Sequence, residues 1–311
     1  MAWQQVLDFS ASINPLGPSP AAREAILTAL DRVVHYPHRS AQRLRERLAA
    51  EWATQPEFIL AGNGATELLF DWCRFTGPGT IAAPAFGEFH RAWPDAPTCL
   101  LADSTTWPAD GPVVLTRPAN PTGTLPDFAT ILAYAAHRRG PVLVDESFLD
   151  FCDAESLIPH ARANLFVLRS LTKFWALPGL RVGALIGDVR RIEVGRPPWS
   201  VNALAEAAAI ASIDDQAHRL KTRMFIRTES RWLASELGKL PALQVAAPVA
   251  NYLYIETEQA TELTAFAASR AILIRDCSGW PGLGGKAIRV AVRNRWENEV
   301  LIAVCKEYLC A

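Results

Sequence analysis

The chain has 311 residues, half of them hydrophobic and 20% charged, with a formal net charge of −1. That length supports a large core and two lobes, and the near-neutral balance gives no pull toward nucleic acid or anionic lipid. No segment approaches the apolar length of a membrane span, and Met1 to Asn14 carry no basic stretch followed by an apolar run, so a cytoplasmic protein is expected.

In chain order, the first thirty or so residues set Pro15, Pro18 and Pro20 ahead of a short helix and are expected to pack on a second lobe. Gly62-Asn63-Gly64-Ala65-Thr66-Glu67 is a glycine-containing turn opening a helix over Ala65 to Phe75. The free amides of such a first turn can bind a phosphate, and Glu67 can equally serve as a helix cap. No Gly-Lys-Ser/Thr follows, so the turn is not a Walker loop.

Short buried strands are predicted at Thr80 to Ala83, Val113 to Thr116, Val142 to Val144, Leu165 to Leu168 and Val182 to Ile186, with a helix over Asp127 to Arg138 ended by Gly140-Pro141. From Asn202 to about Leu240 one long helical stretch is predicted. Strands follow around Val245, Tyr252 to Glu256, Ile272 to Arg275 and Ala287 to Val292, then a final helix from Arg295 to Leu309. The alternation in the middle predicts an α/β large lobe, a mostly parallel sheet flanked by helices over 36–204, and the remainder, 1–35 with 205–311, a smaller α+β lobe.

Candidate chemistry collects where strands end. Asn120-Pro121-Thr122-Gly123 is a turn by composition, and Asn120 can also present its amide to a ligand at the carboxyl edge of the sheet. Asp145 leaves the sheet at that edge, with no His or carboxylate cluster at metal-ligand spacing, so no metal is expected. The six cysteines include no Cys-x-x-Cys pair, which argues against structural zinc and a disulfide framework. Lys173, in Ser170-Leu171-Thr172-Lys173, would alone be an ordinary solvated lysine, and Arg181 a surface ion-pair partner. Together with the glycine turn and Asp145 they supply an amine for an aldehyde cofactor, a cradle for its phosphate and an acid for its ring nitrogen. The cofactor expected is pyridoxal 5'-phosphate.

Glycine turn, Asn-Pro-Thr-Gly, strand-Asp, and Ser-x-x-Lys with Arg, in that order, make the chain resemble the aminotransferase superfamily of fold-type I pyridoxal phosphate enzymes over nearly its whole length. Four segments look most like the threonine-phosphate decarboxylases of cobalamin biosynthesis, with histidinol-phosphate aminotransferases as close relatives. They are Phe9-Ser10-Ala11-Ser12-Ile13-Asn14-Pro15-Leu16-Gly17, His35-Tyr36-Pro37, Ile272-Leu273-Ile274-Arg275-Asp276-Cys277-Ser278 with Pro281-Gly282-Leu283, and Ile288-Arg289-Val290-Ala291-Val292-Arg293.

The resemblance implies that Lys173 holds the cofactor and then moves protons, with burial and nearby cations lowering its pKa. It implies that Asp145 pairs with the ring nitrogen, that Asn120 binds the ring hydroxyl oxygen, and that Phe86 stacks on the ring unless it is a core aromatic. Ser170, Arg181 and the turn at Gly64, Ala65 and Thr66 would hold the phosphate, joined by Tyr36 from the neighbouring subunit of a homodimer. Arg289, Arg275 and Asn14 would contact the anionic groups of a small phosphorylated amino acid, although any of the three can instead be structural. Phe148 stands where many aminotransferases carry a tyrosine. The implied reaction is decarboxylation of L-threonine O-3-phosphate to (R)-1-amino-2-propanol phosphate. Aminotransfer on histidinol phosphate is the alternative, and a non-catalytic sensor module is a reading from another class.

Overall fold

The computed structural model describes residues 6–310. Its centre is a seven-stranded sheet in the order Ile59–Gly62, Gly183–Ile186, Leu165–Ser170, Val142–Asp145, Val113–Thr116, Thr80–Ala83, Thr98–Leu100. All neighbours run parallel except at Gly183–Ile186, which is antiparallel to both of its partners. The strands Val113–Thr116 and Val142–Asp145 are buried along their whole length, which is why they read as continuous apolar runs. Alternate residues feed two cores: Val113, Leu115, Val142 and Val144 face one, and Val114 and Leu143 the other.

A four-stranded antiparallel sheet, Arg275–Asp276, Ala287–Ala291, Tyr252–Glu256 and Gln244–Val245, carries a separate core with Phe9, Leu233, Leu253, Leu263, Val290 and Leu301. The helix Pro20–Ala29 opens on a Ser19 cap and lies along Ala203–Asp214. That second helix buries Ala205, Ala208 and Ile213 in the core of the large sheet, so residues just beyond 204 are packed on that sheet.

Two predicted elements differ in detail. The long helical stretch is two helices, Ala203–Asp214 and Gln216–Leu237, because Asp215 leaves the helical conformation and its carboxylate caps His218. The strand predicted over Ile272 to Arg275 is split: Ile272–Leu273 pairs in parallel with Leu7–Asp8, and Arg275–Asp276 pairs with Ala287–Ala291. The short strands Ile59–Gly62 and Thr98–Leu100 complete the large sheet and were not among those predicted. Among the described residues no helix is long and apolar enough to cross a membrane.

Candidate active site

The register of the large sheet lines up the carboxyl edge. Thr116 is paired with Asp145, Asp145 with Leu168, Ser170 with Gly183, and Gly183 with Gly62. Polar residues that end separate strands therefore stand side by side around a cavity of about 220 Å³. Ala65, Thr66, Phe86, Asn120, Asp145, Ser170, Lys173 and Arg181 all line it, at the edge where open α/β sheets bind ligands.

At one end is an anion cradle. Gly64 precedes the helix Ala65–Thr76 with φ 86° and ψ 160°, a conformation open almost only to glycine, and a β-carbon there would collide with the Arg181 guanidinium. The Ala65 and Thr66 amides have no hydrogen-bond partner among the described residues. Ser170 and Thr172 share a hydroxyl contact of 2.7 Å beside them. Arg181, held at φ 56°, has a guanidinium that donates among the described residues only to the Pro178 carbonyl, at 3.3 Å.

At the centre is Lys173. Burial first of all, with help from Arg289 and Arg181 and against the pull of Asp145, brings its ammonium from 10.5 down to about 8. Its Nζ lies 4.9 Å from the centre of the Phe148 ring. Asp145 accepts the Ser147 amide at 2.9 Å on Oδ1, and its Oδ2 has no donor among the described residues.

Outside the residues that line the cavity is Arg289, 5% exposed on the strand Ala287–Ala291. It donates to Asn120 Oδ1 and the Ser10 carbonyl, and among the described residues its Nε has no partner and no carboxylate pairs with it. Burial pushes the guanidinium pKa down, which marks the cost of keeping that charge without a counter-ion. Arg275 is its cross-strand register partner, exposed and without an ion pair among the described residues.

Two anticipated residues sit elsewhere. Asn14 is buried and its amide protons go to the Phe174 carbonyl at 2.9 Å and Thr222 Oγ1 at 3.0 Å, while its backbone amide donates to the Lys173 carbonyl. Here it braces the lysine turn, with no amide proton left for an anion. Tyr36 is 84% exposed, outside the cavity of its own chain, with its ring 5.1 Å from that of Trp199. Thr116, Thr172 and Tyr252 were not anticipated. Thr116 Oγ1 is buried without a partner, and Tyr252 stacks edge-on against Phe148 with its hydroxyl donating to the Ala119 carbonyl at 2.6 Å. Thr116 ends a strand as Asp145 does, and that position was the available signal.

The leftover polar atoms match a phosphorylated aromatic aldehyde: free amides with a cation for the phosphate, an unpaired carboxylate oxygen for the ring nitrogen, and a recessed amine for the aldehyde. Among the described residues no group of three or more His, Cys, Asp and Glu could hold a metal ion.

The fold is that of the pyridoxal-phosphate-dependent aminotransferases, and the chain belongs to the class I and II aminotransferase family, whose sequence model matches residues 100–302. It is 34% identical to the threonine-phosphate decarboxylase of Salmonella typhimurium, over 98% of this chain and 92% of that protein. It is 32% identical to the histidinol-phosphate aminotransferase of Methanothermobacter thermautotrophicus, over 97% and 89%. Its fold is similar to that of the histidinol-phosphate aminotransferase from Sinorhizobium meliloti solved in complex with pyridoxal-5'-phosphate, with a TM-score of 0.88 and 19% identity, covering 98% of this chain and 92% of that one.

Proposed function

We propose that the protein is a pyridoxal-phosphate-dependent decarboxylase of L-threonine O-3-phosphate, releasing carbon dioxide and (R)-1-amino-2-propanol phosphate for cobalamin biosynthesis. The observation that carries this reading is Arg289, a buried guanidinium with no carboxylate, next to Asn120 and facing Arg275 across the strand pair. A buried cation lacking a counter-ion is a site for a substrate anion. Two register-paired arginines, one of them hydrogen-bonded to Asn120 of the cavity lining, suit a small molecule with both a carboxylate and a phosphate.

When bound, the cofactor supplies an electron sink for the bond that breaks at the substrate α-carbon. The residues do the rest. Gly64, Ala65, Thr66, Ser170 and Arg181 hold the phosphate, Phe86 covers the ring, and the Asp145 carboxylate holds a proton on the ring nitrogen. Arg289 and Arg275 would fix the substrate's anionic groups, and with them the orientation of its α-carbon. Lys173 then delivers a proton to the α-carbon.

Phe148, whose ring centre is 4.9 Å from Lys173 Nζ, offers no hydroxyl beside Asn120 where many aminotransferases carry a tyrosine, which is compatible with the decarboxylase reading. The competing reading, aminotransfer on histidinol phosphate, draws on relatives of that name at nearly the same identity. Incubating the holoenzyme with each substrate separates the two: carbon dioxide from threonine phosphate is expected, and 2-oxoglutarate-dependent glutamate formation without carbon dioxide overturns the assignment.

We also take the functional unit to be a homodimer. Leu27, Leu30, Val33, Val34, Tyr36 and Trp199 are all 47% or more exposed, and they offer apolar side chains for a second copy to cover. A second copy covering it would place Tyr36 at the partner's phosphate cradle.

A further inference from the structure

The turn before the helix Ala65–Thr76 carries a charge opposed to the role proposed for it. Glu67 lies in the first helical turn, and its Oε2 accepts the Asn63 amide at 2.8 Å. A carboxylate there suits an empty helix N-terminus, but it repels a phosphate bound by the same amides.

Arg196 meets that carboxylate. Its side chain is 6% exposed, pairs with Glu67 Oε2, donates to the Ala61 carbonyl at 3.2 Å, and sets Nε 2.5 Å from Asp71 Oδ2. Glu67 and Asp71 are four residues apart on one helix face, so a single guanidinium reaches both. Gly62 makes the room, since a β-carbon there would stand 2.7 Å from Glu67 Oε2. Strand end, turn and helix face are thus clamped by one buried cation, while the Ala65 and Thr66 amides stay free.

We infer that Arg196 is a positioning residue of the phosphate cradle: it neutralises Glu67, so that the turn Glu67 shapes still accepts a dianionic phosphate. This rests on the cofactor reading above. It assigns Arg196 no contact with the phosphate itself.

The test titrates the protein, stripped of cofactor, with pyridoxal 5'-phosphate and separately with pyridoxal, which lacks the phosphate, following absorbance and recording the unfolding midpoint alongside. Arg196→Gln is expected to weaken the phosphate form about tenfold while pyridoxal changes by less than about twofold. Adding Glu67→Gln, which keeps an oxygen for the Asn63 amide and removes the charge, is expected to recover most of the loss. The single variant Glu67→Gln leaves no carboxylate unpaired and guards against misfolding of Arg196→Gln; it is expected to bind the phosphate form at least as tightly as wild type. An equal effect on both aldehydes, no recovery in the double variant, or weaker phosphate binding in Glu67→Gln overturns the inference. A wild-type protein that captures neither aldehyde overturns the cofactor reading instead.

Discussion

Lys173 and Arg289 are both buried cations, and they lead to opposite expectations. For Lys173 the ordinary value of 10.5 falls to about 8, so the neutral amine that attacks an aldehyde grows in as pH rises through about 8. Stopped-flow capture of pyridoxal 5'-phosphate by apo-protein is expected to accelerate over that range and level off above it, and Lys173→Ala is expected to form no covalent adduct. The stability consequence has a definite sign. Between about 8 and 10.5 the unfolded chain still holds the proton that the folded lysine has lost, so apo-protein stability rises with pH there. Arg289 has no carboxylate partner among the described residues, and the role proposed for it is in substrate binding. Arg289→Met is expected to raise KM for threonine phosphate by roughly 100-fold, the worth of about two charge-assisted hydrogen bonds, with cofactor absorbance intact. Loss of the cofactor spectrum in that variant would assign Arg289 to the cofactor rather than the substrate.

At the scale of elements, the strand-to-helix turn at Gly64 is the most sensitive point. Its φ of 86° and the Arg181 guanidinium over it leave no room for a side chain. Gly64→Ala is expected to cost roughly 1–3 kcal/mol in chemical denaturation and to weaken cofactor binding with it. Much of this edge was legible in the sequence, because a buried run followed at once by a polar residue marks the end of a parallel strand. Asp145 was read in that way, Lys173 from its place among the other motifs, and Ser170 from the family resemblance. What stayed hidden depends on distant pairing. Arg196 meets Glu67 from 129 positions along the chain, and nothing local marks it. Asn14 reads as a ligand contact until its partners Phe174 and Thr222 are known. Asp215 breaks a helix within a stretch of unbroken helical composition, because one capping carboxylate outweighs the weak propensity around it. The small-lobe strands were placed in outline only, since the split of Ile272 to Arg275 follows from Leu7–Asp8 pairing with its first half.

At the scale of the whole molecule, the large sheet carries the proposed cofactor cradle, the small sheet carries Arg289 and Arg275, and the exposed apolar surface around Tyr36 is where we propose that a second copy packs. Val34 is 76% exposed, so Val34→Asp is expected to leave the subunit folded while shifting sedimentation from dimer to monomer and lowering activity at dilute protein. A wild-type monomer with full activity would contradict the shared site. The central claim is that the substrate loses its carboxylate and keeps its α-hydrogen. L-threonine O-3-phosphate labelled with carbon-13 at the carboxylate and deuterium at the α-carbon tests both at once when the holoenzyme's products are read by mass spectrometry. The account predicts labelled carbon dioxide together with an aminopropanol phosphate that retains the deuterium. A labelled carboxylate kept in a keto acid, with the deuterium lost to water, would contradict it.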